Sequence, residues 1–494
     1  MLADGRWAHA MKHVTPAETR IQAARPRRLS IAVVSASLRL GEVVALALLA
    51  LAAPAAVSDA RAGLTPGELL VVAAVSLAVG AALNASGAYR LEALRAGPAT
   101  LVRVASIWCG AVLALMALDG LLDAESRLSL TGLQHWLVFG LVFLMAERAL
   151  LGVWTRRMSR LGRFDRYAAI VGGGPMAEML LETLSRQPLS DLRILGVFDD
   201  RGDERSPDVI AGYPKLGTVD ELLVFARNVR LDQVIFALPV SAEGRILTML
   251  RKLWVLPVDI RLAAHANRLR FRPRAYSYIG SVPAFDLLDK PLGDLSLFAK
   301  SVFDRVVGGV LLLACAPLMA AIALGVRLTS PGPVIFRQER LGFNNERIVV
   351  YKFRTLYQDQ CDPLARKQVT RDDPRVTPLG RFLRRSSFDE LPQLLNVLKG
   401  DLSLVGPRPH AMDARAADRE YHLAVDGYFA RHRVKPGVTG WAQVNGWRGE
   451  TDTLEKIQKR VEYDLDYIEN WSMSLDIYIL ALTPLSLLFG INAY

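Results

Sequence analysis

Residues 306–326 read Val-Val-Gly-Gly-Val-Leu-Leu-Leu-Ala-Cys-Ala-Pro-Leu-Met-Ala-Ala-Ile-Ala-Leu-Gly-Val. The run carries no charge and is close to the roughly 20 residues with which a helix crosses a bilayer. Pro317, near its middle, removes a helical hydrogen bond and clashes with the preceding turn, so a bend or break is predicted there. Lys300 and Arg305 precede the run, and Arg327, Arg337 and Arg340 follow it. A straight crossing would put everything after Arg327 on the far side of the membrane. A re-entrant helix over 302–328 instead keeps both basic flanks on the cytoplasmic side, near anionic headgroups. Backbone groups freed at the bend would need partners within the protein. A fifth ordinary span is the alternative.

Four further apolar stretches lie upstream, at Ile31–Ala53, Leu69–Leu83, Leu101–Leu118 and Trp136–Trp154. They begin too late and are too many for a cleaved leader. Arg20, Arg25, Arg27 and Arg28 precede the first, and Arg156, Arg157, Arg160, Arg163 and Arg166 follow the fourth. The loop after the third stretch holds Asp119, Asp123 and Glu125 against Arg127. The basic bias puts both ends of this bundle in the cytoplasm. Arg39 and Glu42 fall inside the first stretch, Glu147 and Arg148 inside the fourth. Each acid has a base within three residues, and ion pairing inside the bundle, or snorkelling to the interface, accounts for them, although intramembrane charge also marks transport paths.

From Tyr167 the pattern changes. Apolar runs at Tyr167–Val171, Ile194–Phe198, Gln233–Leu238 and Val258–Leu262 alternate with helical ones at Met176–Arg186, Val219–Asn228 and Ile246–Leu253. Such alternation predicts a parallel sheet of Rossmann type. Gly172, Gly174 and Ala177 fit a dinucleotide turn, with Asp199 and Asp200 following the second strand. Pro175 removes one donor from that turn. The middle domain is therefore either a nucleotide site or a scaffold or dimerisation module, the last implying a homodimer.

The segment after Ser330 carries the chemistry. Val334–Arg337 and Arg347–Phe353 read as two strands around a polar turn. Ser386-Ser387-Phe388-Asp389-Glu390-Leu391-Pro392-Gln393 then opens a helix, since proline is comfortable only in a first turn. Ser387 and Glu390 fit a capping box, a purely stabilising use of the acid. The surroundings suggest more. Arg381, Arg384 and Arg385 precede the pair, Lys352 and Arg354 end the second strand, and Arg408 lies in Gly406-Pro407-Arg408-Pro409. Carboxylates among guanidinium forks suit phosphoryl transfer, one acid as nucleophile and one on a divalent metal.

These motifs resemble those of the bacterial sugar transferases, the polyprenyl-phosphate hexose-1-phosphate transferases with a monotopic catalytic domain. The resemblance rests on Phe303-Asp304, Ser330-Pro331-Gly332-Pro333 and Tyr351-Lys352-Phe353-Arg354-Thr355. It extends to Asp389-Glu390-Leu391-Pro392-Gln393-Leu394, Gly406–Pro409 and Lys435-Pro436-Gly437-Val438-Thr439-Gly440. It implies that Asp389 attacks the β-phosphate of a UDP-sugar, releasing UMP, and that undecaprenyl phosphate then takes the phosphosugar from Asp389. Glu390 would bind Mg²⁺, and Lys352, Arg384 and Arg408 would line the phosphate site. Leu356 stands where relatives often carry Met. The segment Gly440–Thr451 looks like the subgroup acting on UDP-glucose, with Gln443, Asn445 and Arg448 as nucleotide or sugar contacts. Galactose is the alternative, and exopolysaccharide or capsule synthesis the implied setting.

The predicted architecture is a cytoplasmic tail (1–29), a four-span membrane α-helical bundle (30–160), an α/β Rossmann-like domain (165–290) and an α+β catalytic domain (298–494) containing the re-entrant membrane helix. The catalytic domain is expected to face the cytoplasm from a bacterial inner membrane. Hydrophobic residues reach 51%, the mean hydropathy is +0.23 and the net charge +11. The basic residues track membrane boundaries and the phosphate site without interleaved aromatics, which argues against nucleic acid. Cys109, Cys315 and Cys361 are too scattered for a disulfide or zinc framework. Two rivals remain: a metal-dependent glycosyltransferase, whose only Asp-x-Asp match (Asp464, Asp466) falls on an amphipathic helix, and a membrane-anchored nucleotide-binding regulator.

Overall fold

A computed structural model describes residues 28–55, 65–95, 97–122, 130–186, 191–201, 207–264, 277–279, 282–358, 373–410, 415–416, 419–420, 425, 427–447, 449 and 453–488. Cys361 and the site candidate Arg448 lie outside them. The chain forms two units, Ala24–Asp165 and, from Arg166, the remainder.

The first unit is helical: α1 (Ile31–Ala55), α2 (Pro66–Ala85), the short α3 (Leu91–Leu94), α4 (Pro98–Leu122) and α5 (Leu130–Arg160). All but α3 are long and apolar enough to cross a membrane. Their shared core centres on Trp108 and Trp136, edge to face at 5.2 Å between centroids. Each indole N–H donates to a backbone carbonyl, Trp108 to Leu137 at 2.9 Å and Trp136 to Leu46 at 2.8 Å. Buried tryptophans need such partners.

Ion pairing inside the bundle is formed by Glu42 and Arg148, on different helices. Glu42 meets Arg148 at 2.9 Å, both fully buried, and accepts the Tyr89 hydroxyl at 2.7 Å. Arg39 donates to Asn84 at 3.1 Å. The Arg148→Met substitution leaves Glu42 buried and unpaired, which is expected to cost about 3–5 kcal/mol. Thermal melting of detergent-solubilised protein should show that loss, with most of it recovered in Glu42→Leu/Arg148→Met. An unshifted single variant would show that the pair contributes nothing to the bundle.

The second unit begins with an eight-stranded sheet in the order β3-β4-β2-β1-β5-β6-β8-β7. Its strands are β1 (Arg166–Val171), β2 (Leu192–Phe198), β3 (Val209–Ile210), β4 (Tyr213–Gly217), β5 (Gln233–Phe236), β6 (Asp259–Ala263), β7 (Ser277–Ile279) and β8 (Val282–Leu288). The central strands β4, β2, β1, β5 and β6 are parallel, as the alternation predicted. The edges are antiparallel additions: β3 on β4, and the β7–β8 pair on β6. Helices α6 (Pro175–Ser185), α7 (Val219–Asn228) and α8 (Glu243–Leu253) supply the two apolar layers. Gly172 has φ +108°, where a Cβ would press on the Ala237 carbonyl and Leu238. Asp199 accepts the Gly173 N–H at 2.7 Å and the Arg201 N–H at 3.2 Å. The acid is spent on holding the glycine turn.

The apolar run that opened the sequence belongs to α9 (Asp294–Thr329), which passes through Pro317 without interruption. The expected break is absent. Both halves of α9 pack on the elements that follow: the hairpin β9 (Ile335–Leu341) and β10 (Arg347–Phe353), α10 (Pro378–Ser386), α11 (Gln393–Lys399) and β11 (Ser403–Val405). Before the proline, Phe303, Val307 and Leu312 join a core with Leu394, Val397 and Leu404. After it, Ile322 and Val326 join Phe353 and Leu383. The small strands β12 (Arg415–Ala416) and β13 (Arg419–Glu420) form a two-residue ladder, and β14 (Gly437–Thr439) runs parallel to β11. Helices α12 (Trp441–Val444), α13 (Leu454–Glu469) and α14 (Met473–Leu488) complete the domain. The stripe expected on α13 is core at Ile457, Val461 and Ile468. The C-terminal helix runs through Pro484 and packs on the domain through the buried Asp476 and Ile479.

Candidate functional site

Helix α10 begins with the Thr377 hydroxyl accepting the Gly380 N–H at 2.9 Å. It ends at Ser387, which adopts a left-handed conformation, φ +60°. That reversal sends the chain into a tight 3₁₀ turn, Phe388–Glu390, and α11 follows from Pro392. The capping box is not formed: Ser387 makes no side-chain cap. The Glu390 carboxylate goes elsewhere. It takes the Lys352 ammonium at 2.6 Å and both arms of the Arg408 guanidinium, at 2.6 and 3.2 Å.

Each partner is placed by its own element. Asn396 on α11 donates to the Val349 carbonyl at 2.7 Å and accepts the Tyr351 N–H at 3.0 Å, stitching β10 beside the turn and so fixing Lys352. Arg408 extends from the Gly406–His410 loop, where a Cβ on Gly406 would collide with the Lys435 carbonyl. Arg340 enters from β9. The hairpin register pairs it with Ile348 and places it on the same face as Lys352. Strand alternation carried that signal.

The two adjacent carboxylates have opposite electrostatics. Burial pushes both upward. For Glu390 the Arg408 and Lys352 cations outweigh it and hold the carboxyl well below its usual range. For Asp389 burial prevails over Lys352, and Glu390 adds to it, so the pKa is lifted to about 6. Among the described residues the Asp389 carboxylate accepts no hydrogen bond. Burial lowers Lys352 against the pull of Glu390, and lowers Arg340 to about 10. Among the described residues, Lys352, Arg340, Arg384 and Arg408 thus face Asp389 and Glu390, four cations to two acids. Such a setting suits a multiply charged anion.

The other predicted contacts divide. Arg384 is half-buried and acts on Asp389. Arg381 and Arg385 are exposed, and no hydrogen bond or ion pair among the described residues brings them to the acids. Arg354 is buried and spent on the Ser330 carbonyl and hydroxyl, at 2.8 and 2.9 Å, and on the Pro331 carbonyl. Gln443 is buried with its Oε1 unpartnered among the described residues. Asn445 is exposed and donates to the Trp441 carbonyl at 2.8 Å.

Sequence reasoning did not single out Arg431 or His410, and named Arg340 only as part of the basic flank after the apolar run. Asp464, weighed as half of a metal motif, is buried and bonded to Arg431 at 2.5 and 3.1 Å, while Asp466 accepts the Trp441 indole N–H at 2.9 Å. Among the described residues no group of three or more His, Cys, Asp or Glu could hold a metal. Cys109 and Cys315 are free.

A fold with apolar helices before an α/β region, and paired acids in a cationic cleft, defines a membrane-anchored transferase acting on phosphates. Residues 295–490 match the bacterial sugar transferase family, and residues 84–264 match a CoA-binding domain family. The chain is 37% identical over 388 residues to the UDP-glucose:undecaprenyl-phosphate glucose-1-phosphate transferase of Xanthomonas campestris pv. campestris, covering 78% of this chain and 80% of that protein. It is 36% identical over 369 residues to the protein of the same name from Escherichia coli (strain K12), covering 75% and 77%. It is 40% identical over 364 residues to the undecaprenyl-phosphate glucose phosphotransferase of Komagataeibacter xylinus, covering 73% of this chain and 66% of that protein. The chain belongs to the bacterial sugar transferase family.

If Arg354 only ties the end of α9 to β10, Arg354→Met should lower the melting temperature and leave the activity per folded molecule unchanged. Activity lost at unchanged stability would return Arg354 to the phosphate site.

Proposed function

We propose that this chain transfers glucose 1-phosphate from UDP-glucose to undecaprenyl phosphate, releasing UMP, as the first membrane step of exopolysaccharide or capsule assembly. One observation carries the mechanism: of two adjacent acids, Glu390 is locked by Lys352 and Arg408 while Asp389 carries no bond and lies among cations. An unbonded, half-buried carboxylate is a nucleophile with little solvation to lose. Asp389 attacks the β-phosphorus, the bond to the bridging oxygen breaks, and UMP leaves with that oxygen. An oxygen of the acceptor phosphate then attacks the same phosphorus and frees Asp389. Lys352, Arg340, Arg384 and Arg408 neutralise charge on the transferred group.

Mg²⁺ fits the donor set. Lys352 and Arg408 occupy three of the roughly four acceptor positions of Glu390, leaving one. Mg²⁺ habitually takes one or two carboxylates together with substrate phosphate oxygens. Bound at Glu390, it would supply a charge that offsets the diphosphate. The names of the relatives and the Gly440–Gly446 segment favour glucose over galactose.

The domain is proposed to work on the cytoplasmic face of the inner membrane, with α9 entering the bilayer without crossing it. A 36-residue helix is about 54 Å long. Its two halves nonetheless pack on elements of one domain, Gly308 beside Val397 and Gly325 beside Leu379. Cysteines placed at Ser301 and Thr329 should both resist an impermeant maleimide in intact cells. Labelling of one alone would mean a crossing.

Purified protein with undecaprenyl phosphate should release UMP from UDP-glucose in preference to UDP-galactose. Release of UDP would favour a glycosyltransferase. Asp389→Asn should abolish UMP release and any covalent phosphosugar, whereas Glu390→Gln should retain slow turnover with a shifted Mg²⁺ requirement. Because Asp389 titrates near 6 and reacts as the carboxylate, kcat/KM should hold above that pH and fall below it as one proton binds. A flat profile through pH 5 would remove Asp389 as nucleophile.

A further inference from the structure

The loop that carries Arg408 is fixed at four successive carbonyls. Pro407 accepts from the Gly437 N–H at 3.0 Å and Arg408 from the Arg431 guanidinium at 2.7 Å. Pro409 accepts from Arg340, and His410 from the Leu341 N–H at 3.5 Å. Two of the four donors are backbone amides and a third, Arg340, already faces the acids. The fourth, Arg431, lies outside the cleft and is fully buried.

Arg431 spends its fork on several groups at once. Nε and Nη2 hold one oxygen of Asp464 at 3.1 and 2.5 Å, and Nη2 also reaches the Arg408 carbonyl. Nη1 lies 2.6 Å from Nδ1 of His410, and the guanidinium sits over the Tyr428 ring at 5.4 Å. Such an arrangement needs the planar fork of arginine, which a lysine cannot reproduce. It is also unnecessary for stability alone, because apolar residues of similar volume replace buried ion pairs at little or no loss.

We propose that Arg431, locked by Asp464, is a positioning residue for phosphoryl transfer: it fixes the backbone of Arg408 so that the Arg408 guanidinium meets Glu390 and the transferred phosphate. This rests on the reading that Arg408 serves the reaction. Asp464 holds Arg431, Arg431 holds the Arg408 carbonyl, and the Arg408 side chain holds Glu390. Pro407 and Pro409 on either side remove the backbone freedom that would let Arg408 drift. The segment that carries Arg431, Tyr428–Arg433, is itself anchored at its ends. Gly427 packs on the Trp254 ring, and Arg433 donates to the Asp289 carbonyl at 3.0 Å.

The test uses the full-length protein in detergent with undecaprenyl phosphate and UDP-glucose, reading UMP release and thermal melting together. Arg431→Met/Asp464→Leu removes both charges of the pair, while Arg460, which also faces Asp464, keeps its bonds to the Trp447 and Gly449 carbonyls. It should melt near the parent while kcat falls about 10²-fold, the scale of a displaced catalytic group. In an Arg408→Ala background the same double substitution should cost nothing further, because the group it positions is gone. Retained kcat at parental stability, or a full additional loss in the Arg408→Ala background, overturns the proposal. Should the apolar pair fail to fold, Arg431→Lys reads the same contrast, keeping the charge beside Asp464 but losing the bridge to Arg408. Undiminished UMP release in Arg408→Ala alone would instead refute the phosphate-site reading itself.

Discussion

Everything in the catalytic domain converges on the Glu390 carboxylate. Lys352 comes from a strand, Arg408 from a loop after β11, and Glu390 itself from the turn between α10 and α11. Taking these charges from water costs several kcal/mol each, and the attraction offsets that only with good geometry. Here one acid faces two cations, with Arg340 beside them. Among the described residues the cleft thus brings four cations to two acids. A diphosphate suits that arrangement.

The cleft is also tied to the base of the apolar helix. Lys300 on α9 binds Asp476 on α14 at 2.6 Å and the Val405 carbonyl at 3.1 Å. Tyr467 bridges the same two groups, at 2.7 Å to Asp476 and 3.1 Å to Val405. Asp304 accepts the Leu404 N–H at 3.1 Å. Strand β11 thus rests on the helix, and the loop presenting Arg408 leaves directly from it. The buried Lys300–Asp476 contact makes that link where an exposed pair would contribute little.

Much of this was legible in the sequence because it is periodic or local. Alternation located the parallel strands, and the Asp389-Glu390-Leu391-Pro392 run and Gly406–Pro409 located the site. What stayed hidden depends on which partner a charge chooses. Arg354 lies two residues from Lys352, yet one closes a backbone turn at Ser330 and the other meets Glu390. Glu42 lies three residues from Arg39 but pairs with Arg148 on another helix. Arg340 belongs to the basic flank after the apolar run, and only the hairpin register shows that it shares a face with Lys352. Charge positions are visible in one dimension; desolvated pairs are set by packing.

The acid pair shows how a local rule and a tertiary one compete for the same atoms. A capping box would fold the Glu390 carboxylate back onto the Ser387 N–H. The left-handed Ser387 prevents this by ending α10 and starting a 3₁₀ turn. At about three residues per turn, neighbouring side chains there diverge by about 120°. Glu390 can then be gripped by Lys352 and Arg408 while Asp389, one residue earlier, stays unbonded. The division between a held acid and a free one follows from that turn. A regular helix start would have satisfied Glu390 locally and left Lys352 and Arg408 without their anchor.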